Sequence, residues 1–179
     1  MANPALITNG PKDWPQTKTD ILIIFVAAKI KDIFSLGRNY PWLRPEQCPR
    51  CMGTRLWGHG YVSAFFDGFK EALWLRRYRC PECGCVIRLK PKGYLRRFQA
   101  AVETIRWRLS HRLRHGRWPP AGPSRSRQGH WLRAFLRKIE AYLGKTWKGT
   151  WQEAFDHLVS RGLNPASRSM QCETEFCMA

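Results

Sequence analysis

Two short stretches decide how this chain reads: Cys48-Pro49-Arg50-Cys51 and Cys80-Pro81-Glu82-Cys83-Gly84-Cys85. The two Cys-x-x-Cys pairs are separated by 28 residues, Met52 to Arg79. Each pair places two thiolates on one tight turn, and two such turns facing each other complete a tetrahedral sulfur site for zinc. Cys48, Cys51, Cys80 and Cys83 are the expected ligands, and the prolines after Cys48 and Cys80 suit the fixed geometry of a knuckle. A pair of redox dithiols is the competing reading, but two matched pairs joined by one hairpin favour a closed site. Four thiolates leave zinc no open position, so Zn2+ is expected to be structural and not catalytic. Cys85 is a spare that could replace Cys83, although Cys-x-x-Cys gives the better bite.

Between the knuckles, Asp67-Gly68 separates two apolar, aromatic-rich runs and predicts a hairpin with a two-residue type I′ turn. That register sets Phe66 opposite Phe69, Tyr61 opposite Trp74 and Trp57 opposite Tyr78. One face then carries Trp57, His59, Tyr61, Phe65, Trp74 and Tyr78, and the other Leu56, Val62, Phe66, Phe69, Leu73 and Leu75. With both faces apolar, one must pack on a helix or on another molecule. Trp57, Tyr61, Trp74 and Tyr78 are therefore candidate partner-interface residues. Gly58 and Gly60 point to a bulge. Val86 to Lys90 reads as a third strand, stopped by Pro91.

Upstream, residues 1–18 with Pro4, Pro11 and Pro15 read as an irregular arm. Ile21 to Leu36 reads as a helix capped by Asp20 and ended by Gly37, with a buried strand over Ile21 to Val26 as the alternative. The apolar run Ile21 to Ala28 is too short to cross a bilayer and lacks the form of a signal peptide. Downstream, Leu95, Phe98, Val102, Ile105, Leu109 and Leu113 form one stripe of a helix over residues 94–115. Residues 115–129, rich in Pro, Gly, Ser and Arg, read as a linker. A helix at about His130 to Leu143 follows. Thr150-Trp151-Gln152-Glu153 is a capping box opening a third helix, which Gly162 and Pro165 end.

The chain has 179 residues, with 31 Lys+Arg against 13 Asp+Glu and a formal charge of +18. Residues 76–138 hold 18 of the basic residues and only Glu82 and Glu103 of the acids. Like charges at this density repel without a polyanion, so nucleic acid is the expected partner. Arg76, Arg77, Arg79, Arg88 and Lys90 border the cysteine site, and Arg125, Arg127, Arg133 and Arg137 belong to the linker and second helix. Arginine predominates, which suits bidentate contacts to phosphate or guanine. Trp107, Trp118 and Trp131 could stack on bases but fit a core or interface equally. No carboxylate group, phosphate loop or nucleophile motif for catalysis stands out, so the chain reads as a binder and not an enzyme. Seven cysteines, four of them in ligand spacing, suit a reducing cytoplasm.

Three strings carry a family resemblance: Leu56-Trp57-Gly58-His59-Gly60-Tyr61, Arg76-Arg77-Tyr78-Arg79-Cys80-Pro81-Glu82-Cys83-Gly84, and Cys-Pro-Arg-Cys before them. Together they resemble the transposase-type zinc ribbon of bacterial insertion sequences and of small proteins encoded beside them. Ser124 to Arg133 is similar to the helix-turn-helix-like part that follows the ribbon in such proteins. The resemblance covers about residues 40–140, and Cys85 departs from its pattern. It implies a DNA-binding or accessory role in a mobile element, without a nuclease domain.

The expected fold is α+β: a small three-stranded zinc ribbon flanked by an N-terminal helix and a C-terminal basic helical region. Its expected divisions are an arm and apolar helix (1–39), the ribbon (40–93), the basic helical region (94–162) and a flexible tail (163–179). The expected function is binding of double-stranded DNA without membrane contact. The alternatives are an adaptor that docks a transposase or another partner, or a second copy of itself, through the aromatic hairpin, and an RNA-binding protein.

Overall fold

The computed structural model describes residues 21–170. The arm at 1–18, the Asp20 cap and the tail cysteines Cys172 and Cys177 lie outside the described residues. The fold is α+β, but the sheet has four strands, not the three expected. They are β1 (Ile21–Val26), β2 (Trp57–Ala64), β3 (Leu73–Arg79) and β4 (Val86–Pro91), in the order β1-β4-β3-β2. The helices are α1 (Ile30–Leu36), α2 (Val102–His115), α3 (Arg125–Tyr142) and α4 (Trp151–Ser160).

The extra strand is the first half of the expected N-terminal helix. Ile21-Leu22-Ile23-Ile24-Phe25-Val26 is rich in β-branched residues, whose side chains lose rotamer freedom in a helix. It lies parallel to β4, with Ile21 opposite Val86 and Val26 opposite Pro91. Helix begins only after Lys29, in the seven residues of α1, which buries Ile33 against Phe66, Leu73 and Leu75. Residues 21–26 therefore share a sheet with the cysteine segment.

β2 and β3 form the expected hairpin in a different register. Tyr61 faces Arg76, Ser63 faces Trp74 and Ala64 faces Leu73, a slip of two residues from the expected pairing. Asp67-Gly68 still makes a turn, closed by Phe69 N–H to Phe66 C=O at 3.2 Å. Only Gly68 has positive φ (91°), whereas a type I′ turn needs it at both central residues. The turn therefore lies at the tip of a loop over residues 65–72. Asp67 anchors that loop to the helical part: its N–H donates to Gln99 C=O at 3.0 Å, and its Oδ1 pairs with Arg127 Nη1 at 2.9 Å. The bulge falls between Gly58 and Tyr61, where the two glycines place it.

The expected helix over residues 94–115 starts late, at Val102. Residues 94–101 are irregular and include Arg97 at φ 65° and a bridge between Tyr94 and Ala101. Leu95 and Ala100 are still buried in the same core as Ile105 and Leu109. Conversely α3 starts earlier than expected, at Arg125, because Ser124 accepts the Arg127 N–H and caps it. Trp131, Phe135, Ile139, Ala154, Phe155 and Leu158 complete this helical core. The Thr150–Glu153 capping box is present in both directions. At the other end of α4, Gly162 N–H to Val159 C=O and Leu163 N–H to Leu158 C=O form a Schellman end. Leu163, Asn164 and Ala166 are buried, so residues 163–166 belong to the core and not to a flexible tail.

Candidate metal centre and basic surface

The two cysteine turns have the same backbone plan. Cys48 N–H donates to Gly53 C=O at 2.8 Å and Met52 N–H to Cys48 C=O at 2.9 Å. In the second turn, Cys80 N–H donates to Cys85 C=O at 3.1 Å and Gly84 N–H to Cys80 C=O at 3.0 Å. The residue after each pair is left-handed: Gly84 at φ 70°, where glycine is at ease, and Met52 at φ 62°, where a side chain is not. The turns meet over a buried cluster of Leu56, Tyr78, Ile87 and Leu89, so the sheet fixes their separation.

The sulfurs of Cys48, Cys51, Cys80 and Cys83 all lie within 4.8 Å of one another. Cys48 to Cys83 is 3.6 Å and Cys51 to Cys80 is 3.5 Å. A tetrahedron with metal–sulfur bonds of about 2.3 Å has edges of about 3.8 Å, so these separations fit a single ion. Arg50 N–H points at Cys48 Sγ (3.4 Å), as expected where a backbone amide supports a thiolate. Burial works to raise the Cys48 thiol, but the amides of Cys51 and Arg50 and the thiols of Cys85 and Cys83 draw it down to about 6. A hydrogen bond from Gly53 works to lower Cys51, yet burial and the sulfurs of Cys80, Cys83 and Cys48 push it up to about 12. Cys48 is thus favoured as the thiolate while Cys51 resists ionisation. A divalent cation would remove that resistance, so these four sulfurs form a donor set that could hold a metal ion.

The expected nucleic-acid residues separate into three groups. Arg125, Arg133, Arg137 and Arg79 are exposed. Arg76, Arg77, Arg88 and Arg127 are half-buried. Arg76 lies over the Tyr61 ring (4.8 Å), and Arg127 pairs with Asp67 and lies 5.1 Å from the Trp131 ring. Lys90 is a correction. It is buried, and its Nζ donates to the carbonyls of Leu95 (2.7 Å) and Phe98 (2.9 Å), so it braces the 94–101 segment from within.

Arg77 and Arg88 stand directly opposite each other on β3 and β4. Like charges in this position repel. Each has a buried Nε without a hydrogen-bond partner, and no carboxylate among the described residues pairs with either. Burial first, and then the Arg77 charge, lowers the Arg88 pKa. His59 is lowered for the same reasons, by burial and then by Arg77 and Arg79. His59 and Arg79 also line a cleft of about 370 Å³ with Trp57 and the second knuckle.

The expected interface aromatics do not stay together. Trp57 is 60% exposed, Tyr61 and Trp74 are half-buried, and Tyr78 is buried in the cluster under the cysteines. Tyr61 donates its hydroxyl to Arg38 C=O at 2.8 Å, and the Arg38 guanidinium covers Trp74 at 4.1 Å. Trp131 is core, Trp118 half-buried and Trp107 54% exposed. Sequence reasoning missed a second basic cleft, about 780 Å³, where Arg112, Arg117 and Arg125 surround Trp118. Its signal was Arg117-Trp118 ahead of the Pro-Pro pair, which reads as ordinary linker until the loop folds back.

Among the described residues no helix is long and apolar enough to cross a membrane. Comparison with protein-family models, with curated proteins and with solved structures finds no match to this chain.

Proposed function

We propose that this protein is a zinc-bearing binder of double-stranded DNA, an accessory factor of a mobile element acting in a reducing cytoplasm and carrying no catalytic centre. Zinc is the metal that four thiolates without an open position suit best. Its role is to hold β2, β3 and the knuckles as one rigid platform. The observation that carries the reading is the Arg77–Arg88 pair, two half-buried arginines opposite each other in the sheet without an acid. A phosphate between or above them would supply the missing acceptor and relieve the repulsion. The exposed arginines of α3 add to the same positive charge.

Salt-dependent binding to a duplex tests this. Arg77→Ala and Arg88→Ala should each weaken binding and each reduce the slope of log K against log salt by about 1. Equal slopes for the wild type and both variants would remove these arginines from the interface. A competition in which random RNA displaces the duplex would move the assignment to RNA.

The exposed apolar residues Leu43 (84%), Trp57 (60%) and Phe65 (59%) favour a second reading, an adaptor that docks another protein. In that case Trp57→Ala abolishes partner co-purification and leaves duplex affinity intact.

A further inference from the structure

Cys85 is a fifth sulfur at the metal centre. It is almost fully buried, and its Sγ lies 3.4 Å from Cys48 Sγ, inside the 3.6 Å that separates Cys48 from Cys83. In the backbone plan shared by the turns, Cys85 occupies the place of Gly53: each accepts the N–H of the first cysteine of its turn. At that place the first turn has no side chain, and the space is filled by the Glu82 carboxylate, which also lies 3.7 Å from Cys51 Sγ. The second turn puts a thiol there instead, aimed at Cys48. Cys83 is half-buried, so of the two sulfurs on Cys48 the deeper one is Cys85.

We propose that Cys85 is a reserve ligand. With the metal on Cys48, Cys51, Cys80 and Cys83, the Cys85 thiol donates its proton to the Cys48 thiolate. When Cys83 is lost or blocked, Cys85 gives up that proton to solvent and takes the fourth position. Cys85 stands outside the set of four sulfurs mutually within 4.8 Å, so the ion must shift toward the Cys48–Cys85 edge. Two sulfurs bonded to one ion at about 2.3 Å lie at most about 4.6 Å apart, so the exchange also needs a side-chain rotation that brings Cys85 Sγ toward the remaining ligands. Zinc keeps its charge state throughout, and the proton released matches the thiolate gained.

This inference rests on the reading that the cluster holds a metal, and the test separates the two. Metal content is measured for the wild type, Cys80→Ser, Cys83→Ser and Cys83→Ser/Cys85→Ser, and cobalt(II) replaces zinc to count sulfurs by its thiolate charge-transfer intensity. A wild type with no bound zinc sinks the metal reading itself. If the wild type holds one ion, Cys83→Ser should hold one as well, with weaker affinity and the charge-transfer intensity of four sulfurs. The double variant and Cys80→Ser should fall to three-sulfur intensity or lose the ion. Loss of the ion from Cys83→Ser, or retention with three-sulfur intensity, overturns the reserve role. Should Cys83→Ser fail to fold, alkylation of the zinc-loaded wild type decides: molecules whose adduct maps to Cys83 should keep zinc bound. Zinc release in step with that adduct overturns the proposal.

Discussion

Gly122 shows how one residue can be fixed by a side chain far from it in sequence. Its φ is +111°, and a Cβ there would lie 2.0 Å from Arg108 Nη2. That guanidinium cannot move away cheaply, because it is buried and donates to Ala121 C=O (2.8 Å) and Gln128 Oε1 (3.3 Å). Gly93 is the natural control, with φ +87° and nothing within 4 Å of a Cβ. Gly93→Ala should cost about 1–3 kcal/mol of stability, the backbone term alone. Gly122→Ala should cost more, by about 1–3 kcal/mol for displaced buried hydrogen bonds. Urea unfolding of both variants checks the difference, and equal losses would show that Arg108 does not hold the loop. The cysteines follow the same logic of fixed geometry, and their pairing was legible from spacing alone. The fate of each arginine and lysine was not, because charge counting treats all cations alike. Lys90, Arg108 and Lys138 are buried, and each donates to backbone carbonyls of an irregular segment.

At the scale of elements, α4 is the helix whose ends were written locally. Thr150 Oγ1 accepts the Glu153 N–H, and Glu153 Oε2 accepts the Thr150 N–H at 2.7 Å. That backbone bond, and then the Thr150 side chain, holds the Glu153 carboxyl below its ordinary range. An acid with a depressed folded pKa stabilises the fold above its unfolded pKa of about 4.3 and stops doing so as pH falls through the folded value. Glu153→Gln should therefore lower the melting temperature at neutral pH, and its difference from wild type should shrink in acid below about pH 4. A difference that stays constant down to pH 2 would mean that the charge on Glu153 plays no part. β1 shows the opposite case. Its β-branched residues lean toward strand without settling it, and the β4 edge, which lies 65 residues away by register, supplied the hydrogen-bond partners. The two-residue slip of the β2–β3 hairpin has a similar origin. Asp67 serves Gln99 and Arg127 as well as its own turn, so the strands close farther back.

Across the whole molecule, the described residues bury three apolar clusters, one under the cysteines, one between α1 and the hairpin, and one among the helices. The cysteine cluster is continuous with Leu56, Tyr78, Ile87 and Leu89, whereas the helical core of Ile105, Leu109, Trp131, Phe135 and Phe155 shares no buried residue with it. On the proposed zinc-bearing reading, removing the metal should loosen the cysteine cluster before the helical core. Under a strong chelator, hydrogen exchange should accelerate in β3 and β4 while α2, α3 and α4 keep their protection. Simultaneous loss in both clusters would show that the Asp67 contacts couple them into one cooperative unit. The sequence by itself determined that four cysteines gather, through two matched pairs on one hairpin, and it set where α4 begins and where glycine turns the chain, because those two rest on contacts within a few residues. Tertiary structure decided that β1 pairs with β4, that Tyr78 and Lys90 turn inward, and that Arg77 stands opposite Arg88. Those outcomes depend on which distant backbone supplies a partner, and on which face of a strand the rest of the chain happens to cover.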